Sequence, residues 1–452
     1  MTTDFSQGKV SRRIIAQAVP LMLAQLVQLL YNIVDRIYIG HMPGVGSAAL
    51  TGVGLAFPLV TLIAAFTSLF AMGGAPLFSI ARGAGETEHA GRIMGHVFSL
   101  LCASSLVLTV FCYGFRRPIM FLFGASEASY VYADAYLSIY LLGTPLSMLS
   151  TGMNNFINAQ GFPRIGMLTT VIGAALNLVL DPLFIFVLDM GVAGAALATV
   201  LSQAVSCIWV LRFLTGKRVQ LPLVRKNLRV TLPITRKILS LGVAGFIMQG
   251  TNFMVQAVNN ATLHAFGGDL YVGVMTVLGS IRSVMELPTY GLTSGAQPVM
   301  GYNYGAKKYQ RVKQAIHFTV FCGAGYTVAA WLFLLAFPRQ LMSIFTSDPE
   351  LLSVGPQALR MYVMGFLFMS FQFGGQVVFQ ALGFARHASF FALLRKAVIV
   401  VPLSLLLPRM GLGVMGVFIA EPVSNMVGGL ICFTTMYFVV YKKLGVAQPS
   451  EE

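Results

Sequence analysis

Twelve stretches of the chain are apolar over lengths of about 20 residues or more, and the polar residues gather in the short segments between them. The stretches run over 14–38, 50–79, 93–115, 131–158, 165–188, 192–215, 237–264, 271–301, 314–337, 352–380, 387–408 and 413–441. A helix of about 20 apolar residues is what spans bilayer hydrocarbon. Backbone inside lipid must satisfy its own hydrogen bonds, and these runs are too long and too uniform for the alternating strands of a membrane barrel. The pattern predicts an all-α polytopic membrane protein with 12 transmembrane helices.

Positive charge then sets the orientation. Lys9, Arg12 and Arg13, Arg82 and Arg92, Arg164, seven residues between Lys217 and Lys237, Lys307, Lys308, Arg311 and Lys313, Arg386, and Lys442 and Lys443 all fall on one set of connecting segments. The alternate set holds Arg116, Arg117, Arg339 and Arg409, with Arg360 near an edge. Cytoplasmic loops carry the excess of Lys and Arg, so both termini and the central loop are expected in the cytoplasm of a cell whose plasma (inner) membrane the chain crosses many times. The N-terminal apolar run is too long for a cleaved signal peptide and reads as the first span.

The chain also repeats itself. A shift of 222 residues aligns Gly73 with Gly295, Pro76 with Pro298, Gly83-Ala84 with Gly305-Ala306, Tyr140 with Tyr362, Ala159-x-Gly161-Phe162-x-Arg164 with Ala381-x-Gly383-Phe384-x-Arg386, and Gly191, Gly194, Ala198 and Ser202 with Gly413, Gly416, Ala420 and Ser424. The register holds without a gap from Gly73 to Ser202. Each repeat holds six predicted spans, so both enter from the same side. The expected arrangement is an N-lobe over 12–216, a basic cytoplasmic linker over 217–235 and a C-lobe over 236–441. The two six-helix bundles would be related by a pseudo-twofold axis along the membrane normal, one of the repeat plans of secondary transporters.

Composition narrows the function. Of 452 residues, 56% are hydrophobic and 10% charged, far below the charge of a soluble domain. The net charge of +15 is spread among loops as topology determinants are, which argues against nucleic acid as a partner. The five cysteines all lie in apolar runs and read as packing. None of the six histidines sits in a paired ligand spacing such as H-E-x-x-H, and no phosphate-binding G-x-x-x-x-G-K-[ST] occurs. An integral membrane enzyme is therefore the weakest class, no motif points to direct ATP drive, and no cofactor is expected beyond a coupling ion.

Four acids lie deep in spans: Asp35, Asp181, Glu286 and Glu421. A charge there costs roughly 2.5–3.5 kcal/mol on insertion scales and marks function or a partner. Asn177 and Asp181 are four apart and share a helix face, Pro182 frees a carbonyl nearby, and Thr199 comes to similar depth from the sixth span. With Asp35 slightly shallower, these oxygens suit a proton or a hard cation such as Na⁺. In the second half Asp181 is replaced by Leu403, Asn177 by Ile399 and Thr199 by Glu421, while Asp35 maps near Asn259, which confines ion coupling to the first half. Arg282 and Glu286 are spaced for a helical ion pair or for a role in the substrate cavity. Glu421 can likewise neutralise Arg395 or Lys396, or face the substrate.

VPLMLAQLVQLLYNIVDRIYIG in the first span, NAQGFPR after the fourth, ALNLVLDPLFIF in the fifth, GVAGAALATVLSQ in the sixth and GAQPVMGYNYGAKK after the eighth resemble, in this order, the multidrug and toxic compound extrusion (MATE) family. The resemblance covers about 12–441, and ELPTYGLTSGAQP and FIAEP are most like its bacterial multidrug branch. It implies an antiporter of 12 helices and two lobes that exports organic cations and drugs against an inward flux of H⁺ or Na⁺ by alternating access. It also implies an N-lobe cation or proton site at Asp35, Asn154, Asn177, Asp181 and Thr199, with Asn155 and Asn158 competing for the fourth-span role. Na⁺ would lie at Asp35, Asn177, Asp181 and Thr199. Pro20 matches the family's first-helix bend and would gate the site, while Arg36 departs from the small polar residue more usual there. Substrate-cavity candidates are Glu286, Arg282 and Glu421. The expected partners are small organic cations and the lipid bilayer, with the chain acting as a monomer. A lipid-linked precursor flippase of the same superfamily is the alternative, which Arg282, Arg395 and Lys396 keep open.

Overall fold

The computed structural model describes residues 5–42, 45–123, 125–346 and 348–445, and all of their regular structure is helical. In chain order the α-helices are α1 (Val10–Gly40), α2 (Gly46–Gly83), α3 (Thr87–Leu122), α4 (Glu127–Leu142), α5 (Thr144–Ala159), α6 (Pro163–Pro182), α7 (Gly191–Leu214), α8 (Leu232–Gly305), α9 (Tyr309–Ala336), α10 (Pro338–Ser343), α11 (Pro349–Tyr362), α12 (Met369–Ala381), α13 (Ala385–Leu393), α14 (Val401–Leu407) and α15 (Val414–Val439). Wider π turns at Leu183–Val187 and Leu394–Val400 extend α6 and join α13 to α14.

Among the described residues nine helices are long and apolar enough to cross a membrane, or ten with the bent pair α11 and Phe366–Ala381. This is fewer than the twelve runs read from the sequence, and the reasons are local. The runs 237–264 and 271–301 fall on one 74-residue helix, whose break at Gly268 (φ 69°, ψ −168°) uses a backbone region that glycine enters without a Cβ clash. The run 131–158 is divided at Gly143 into α4 and α5, each of 16 residues.

The described chain forms two compact units. One is Leu23–Gly242; the other takes Phe5–Met22 together with the chain from Val243 onward. These limits differ from lobes divided at 217–235, because residues 12–22 pack with the later half and 217–242 with the earlier one. Small residues permit both exchanges. A Cβ on Gly73 would overlap the carbonyl oxygen of Ile238, and one on Gly242 that of Leu69. In the other unit a Cβ on Gly295 would stand 2.6 Å from the Ala18 nitrogen. Gly73 and Gly295 are equivalent positions of the 222-residue repeat, so the same crossing is used in each unit.

The segment after α7 is docked rather than free. Gln160 bonds the Leu221 backbone through both ends of its amide, at 3.2 and 3.0 Å, and Arg82 donates to Ala159 O at 2.7 Å and Gln220 Oε1 at 2.6 Å. Ser99 Oγ donates to Leu228 O at 2.7 Å. In the other unit Asn303 Nδ2 donates to Phe5 O at 3.1 Å, and Arg311 donates to Gly8 O at 2.9 Å and Phe5 O at 3.0 Å. Neutral polar side chains thus anchor backbone of the segment after α7, and Asn303 with Arg311 anchors that of residues 5–8.

Candidate ion and substrate sites

In the unit Leu23–Gly242, α6 carries Asn177 and Asp181 one helical turn apart. Asn177 Nδ2 donates to Asp181 Oδ1 at 3.2 Å and to Thr199 Oγ1 of α7 at 3.4 Å, and Thr199 donates in turn to Ala195 O at 3.0 Å. Asn177 and Asp181 are each 1% exposed. α6 ends at Pro182, whose missing N–H breaks the i→i−4 ladder, and the chain widens into the π turn with Leu188 N bonded to Leu183 O at 2.9 Å. From α1, Asp35 brings its carboxyl close to that of Asp181. Asp35 Oδ1 and Asn177 Oδ1 are buried and have no hydrogen-bond partner.

Asp35, Asn177, Asp181 and Thr199 are therefore brought together. Two neighbouring carboxylates repel, so the pair favours a proton or a cation between its oxygens. The unpartnered oxygens are acceptors suited to that ion. Among the described residues no group of three or more His, Cys, Asp or Glu could hold a metal, so the donor set is two acids with neutral oxygens, which suits H⁺ or Na⁺ rather than a transition metal.

Asn154 lies elsewhere. Its Nδ2 donates to Gly166 O at 3.1 Å, and its Oδ1 accepts from Thr169 at 3.3 Å. Thr169 precedes Asp181 by twelve residues, about 18 Å along a helix. Asn155 is tied to Thr151 O and Asn158 faces Gly166, so no fourth-span asparagine joins the cluster. Two tyrosines that the sequence reading missed lie beside the cluster: Tyr31 and Tyr136 come close to Thr199, and Tyr136 stacks on Tyr140 at 5.6 Å. Tyr31 precedes Asp35 by four residues, a spacing that places both on one helix face and would have pointed to it. Pro20 is buried inside α1, two residues before the packing boundary at Met22, and the helix runs on without interruption to Gly40.

The other unit holds a second ionic cluster. Glu421 of α15 is 3% exposed at its side chain and accepts from Lys396 Nζ at 2.9 and 3.2 Å. Arg282 Nη2 meets it at 2.7 Å, and Arg395 lies 3.7 Å away. Arg282 also pairs with Glu286 and donates to the Tyr362 hydroxyl at 3.1 Å. Glu421 thus joins Lys396 to Arg282. Arg282, Glu286 and Glu421, the three substrate-cavity candidates, form one network.

An internally duplicated, multi-span helical chain with a pair of acids inside one of its units has the plan of a membrane transporter. The comparisons agree with that class. The MatE family model matches twice, over residues 20–183 and 244–406, once on each copy of the repeat; the chain belongs to the MatE family, whose members are transporters and not enzymes. The multidrug export protein MepA of Staphylococcus haemolyticus is 25% identical over 440 residues, 97% of this chain and 94% of that protein. A MATE structure described as a bent conformation is 25% identical with a TM-score of 0.91, covering 98% of each chain. An outward-facing MATE transporter of the MOP superfamily aligns with a TM-score of 0.91 at 24% identity, again over 98% of each chain.

Proposed function

We propose that the chain is a secondary active antiporter with twelve spans and cytoplasmic termini, which exports small organic drugs, organic cations among them, in exchange for H⁺ or Na⁺ by alternating access. The observation that carries this reading is the pair of Asp181, buried, and Asp35, half-buried, with Asn177 and Thr199 beside it and acceptor oxygens left without donors. Such a group is costly in a membrane and is of use when an ion comes and goes. The multidrug export named for the staphylococcal relatives supports the choice of cargo.

With the pair ionised, the unit is open to a proton or Na⁺. Binding neutralises the acids and removes their repulsion, which lets the Asp35 half of α1 close on α6 and bend at Pro20, where no N–H resists. That closure lowers affinity for the drug, and release of the ion to the cytoplasm resets the cycle. The membrane potential supplies about 2.3 kcal/mol per charge per 100 mV.

The test is efflux of a cationic dye from proteoliposomes under imposed pH and Na⁺ gradients, applied separately. One gradient should drive transport, and Asp181→Asn should lose it while inserting and eluting as the parent does. Normal gradient-driven pumping by that variant would refute the coupling assignment.

A further inference from the structure

The start of α9 and the end of α15 meet within one unit. A Cβ on Gly445 would stand 3.7 Å from that of Tyr309, and His317 Nε2 shares a hydrogen bond of 2.6 Å with the Tyr441 hydroxyl. Tyr441 stacks on Tyr437, with ring centres 5.4 Å apart and planes 12° from parallel. Lys313 Nζ lies over the Tyr441 ring, 5.4 Å from its centre. Lys442 Nζ lies over Tyr437 at 5.6 Å and over Phe438 at 4.6 Å. Two ammonium groups from different helices thus flank one pair of stacked rings, each held on an aromatic face by cation–π attraction.

The donors of this cluster are unspent. Among the described residues no acid pairs with Lys313, Lys442 or Lys443, and neither the two ring-bound ammonium groups nor the Tyr437 hydroxyl donates to a protein acceptor. An ammonium has three donors and no acceptor of its own. Tyr437, Phe438, Lys442 and His317 are exposed, so a ligand reaches them from outside.

Away from the chain ends the same two helix faces turn apolar. Lys313, His317 and Phe321 follow one another at four-residue steps along one face of α9, and Phe321 is exposed. On α15 Leu430 and Ile431, also exposed, precede Tyr437 and Phe438 by seven residues, two helical turns. Both helices are long and apolar enough to cross a membrane. A fitting ligand therefore carries an anion level with the lysines and hydrocarbon running along the spans, which a soluble anion does not.

We propose that the junction of α9 and α15 binds the headgroup of an anionic phospholipid. Its phosphodiester accepts from Lys313, Lys442 and the Tyr437 hydroxyl, and its tails lie along Phe321, Leu430 and Ile431. Basic pockets between spans and aromatic side chains at headgroup level are the elements of such lipid sites. The site requires that the chain lie in a bilayer and is independent of what the chain exports.

The test is native mass spectrometry of the purified full-length protein in a neutral detergent, with equal amounts of phosphatidylglycerol and phosphatidylcholine of matched acyl chains. The parent should retain phosphatidylglycerol about tenfold over phosphatidylcholine. Lys313→Gln combined with Lys442→Gln should cut that ratio to about twofold or less, while Lys313→Arg with Lys442→Arg should keep most of it. Lys217→Gln with Arg218→Gln removes as many positive charges from an exposed segment elsewhere and should leave the ratio within about twofold of the parent. Unchanged phosphatidylcholine retention shows that each variant is folded. Equal retention of the two lipids by the parent would overturn the proposal, as would an equal fall in both Gln pairs, the mark of diffuse charge. Displacement of phosphatidylglycerol by an equal concentration of free glycerol phosphate would overturn it too, in favour of a soluble anion.

Discussion

Glu421→Gln keeps the shape of the side chain and removes the one charge that three cations share. The parent carboxylate takes Arg282 at 2.7 Å and Lys396 at 2.9 Å, with Arg395 at 3.7 Å, and is 3% exposed. Its loss leaves Glu286 as the sole counter-charge in the cluster. Removing one partner of a buried ion pair costs about 3–5 kcal/mol, because the other charge stays buried and uncompensated. For a unit of this size each kcal/mol corresponds to roughly 2–4 °C in Tm, so the apparent Tm, read by fluorescence-detected size exclusion after heating, should fall by roughly 10 °C. Lys396→Met in the same background should recover part of the loss, since it removes one of the stranded cations. A double-mutant cycle should then give a coupling of at least about 1 kcal/mol. A fall of only a degree or two in the single variant, or strict additivity in the double, would refute the view that Glu421 holds this network together.

The tight crossing at α2 and the start of α8 predicts an opposite pair of glycine effects. Gly242→Ala would drive its methyl into the Leu69 carbonyl, and should lower apparent Tm by several degrees, from an overpacking cost of about 1–3 kcal/mol. Gly325→Ala on α9, where a Cβ meets nothing within 4 Å, should leave Tm unchanged or raise it, by about 0.5–1 kcal/mol of helix propensity. Equal Tm for the two variants would show that the crossing is looser than described.

What the sequence made legible follows from what helical periodicity records. Along one helix, spacing is enough: Asn177 with Asp181 and Arg282 with Glu286 are four apart, and both pairs are bonded. Depth is also legible, because each residue advances about 1.5 Å; counting inward from the span ends put Thr199 level with Asp181. Contacts across helices are less so. That Arg282 reaches Glu421, or that Thr199 accepts from Asn177, depends on crossing angles that packing sets. Asn154 shows the limit of family likeness, since the residue type is present while its amide is spent on Gly166 and Thr169. The break at Gly143 and the exchange of residues 12–22 leave no hydropathy signal, because the stretches stay apolar through both.

The repeat places Thr199 and Glu421 at equivalent positions, yet the clusters around them have different needs. The first holds two acids with unpartnered acceptor oxygens and calls for a cation; the second pairs its cations with Glu421 and Glu286 and has no acid to spare. A drug held away from Asp35 and Asp181 does not compete with the ion for the same side chains, and their exchange is then indirect, through a conformation that each ligand biases. Indirect coupling is bounded and reciprocal: titrating the ion weakens dye binding to a plateau set by the coupling factor, and saturating dye weakens ion binding by the same factor. Direct competition has no plateau, because the apparent Kd of the dye climbs in proportion to ion concentration without limit. The Kd of a cationic dye should therefore rise to a limit as Na⁺ or H⁺ is raised in the parent, and should not respond in Asp181→Asn, which has lost the ion's half of the linkage. A Kd that rises linearly through the whole range would put ion and drug in one pocket, and the division of labour between the two copies of the repeat would have to be abandoned.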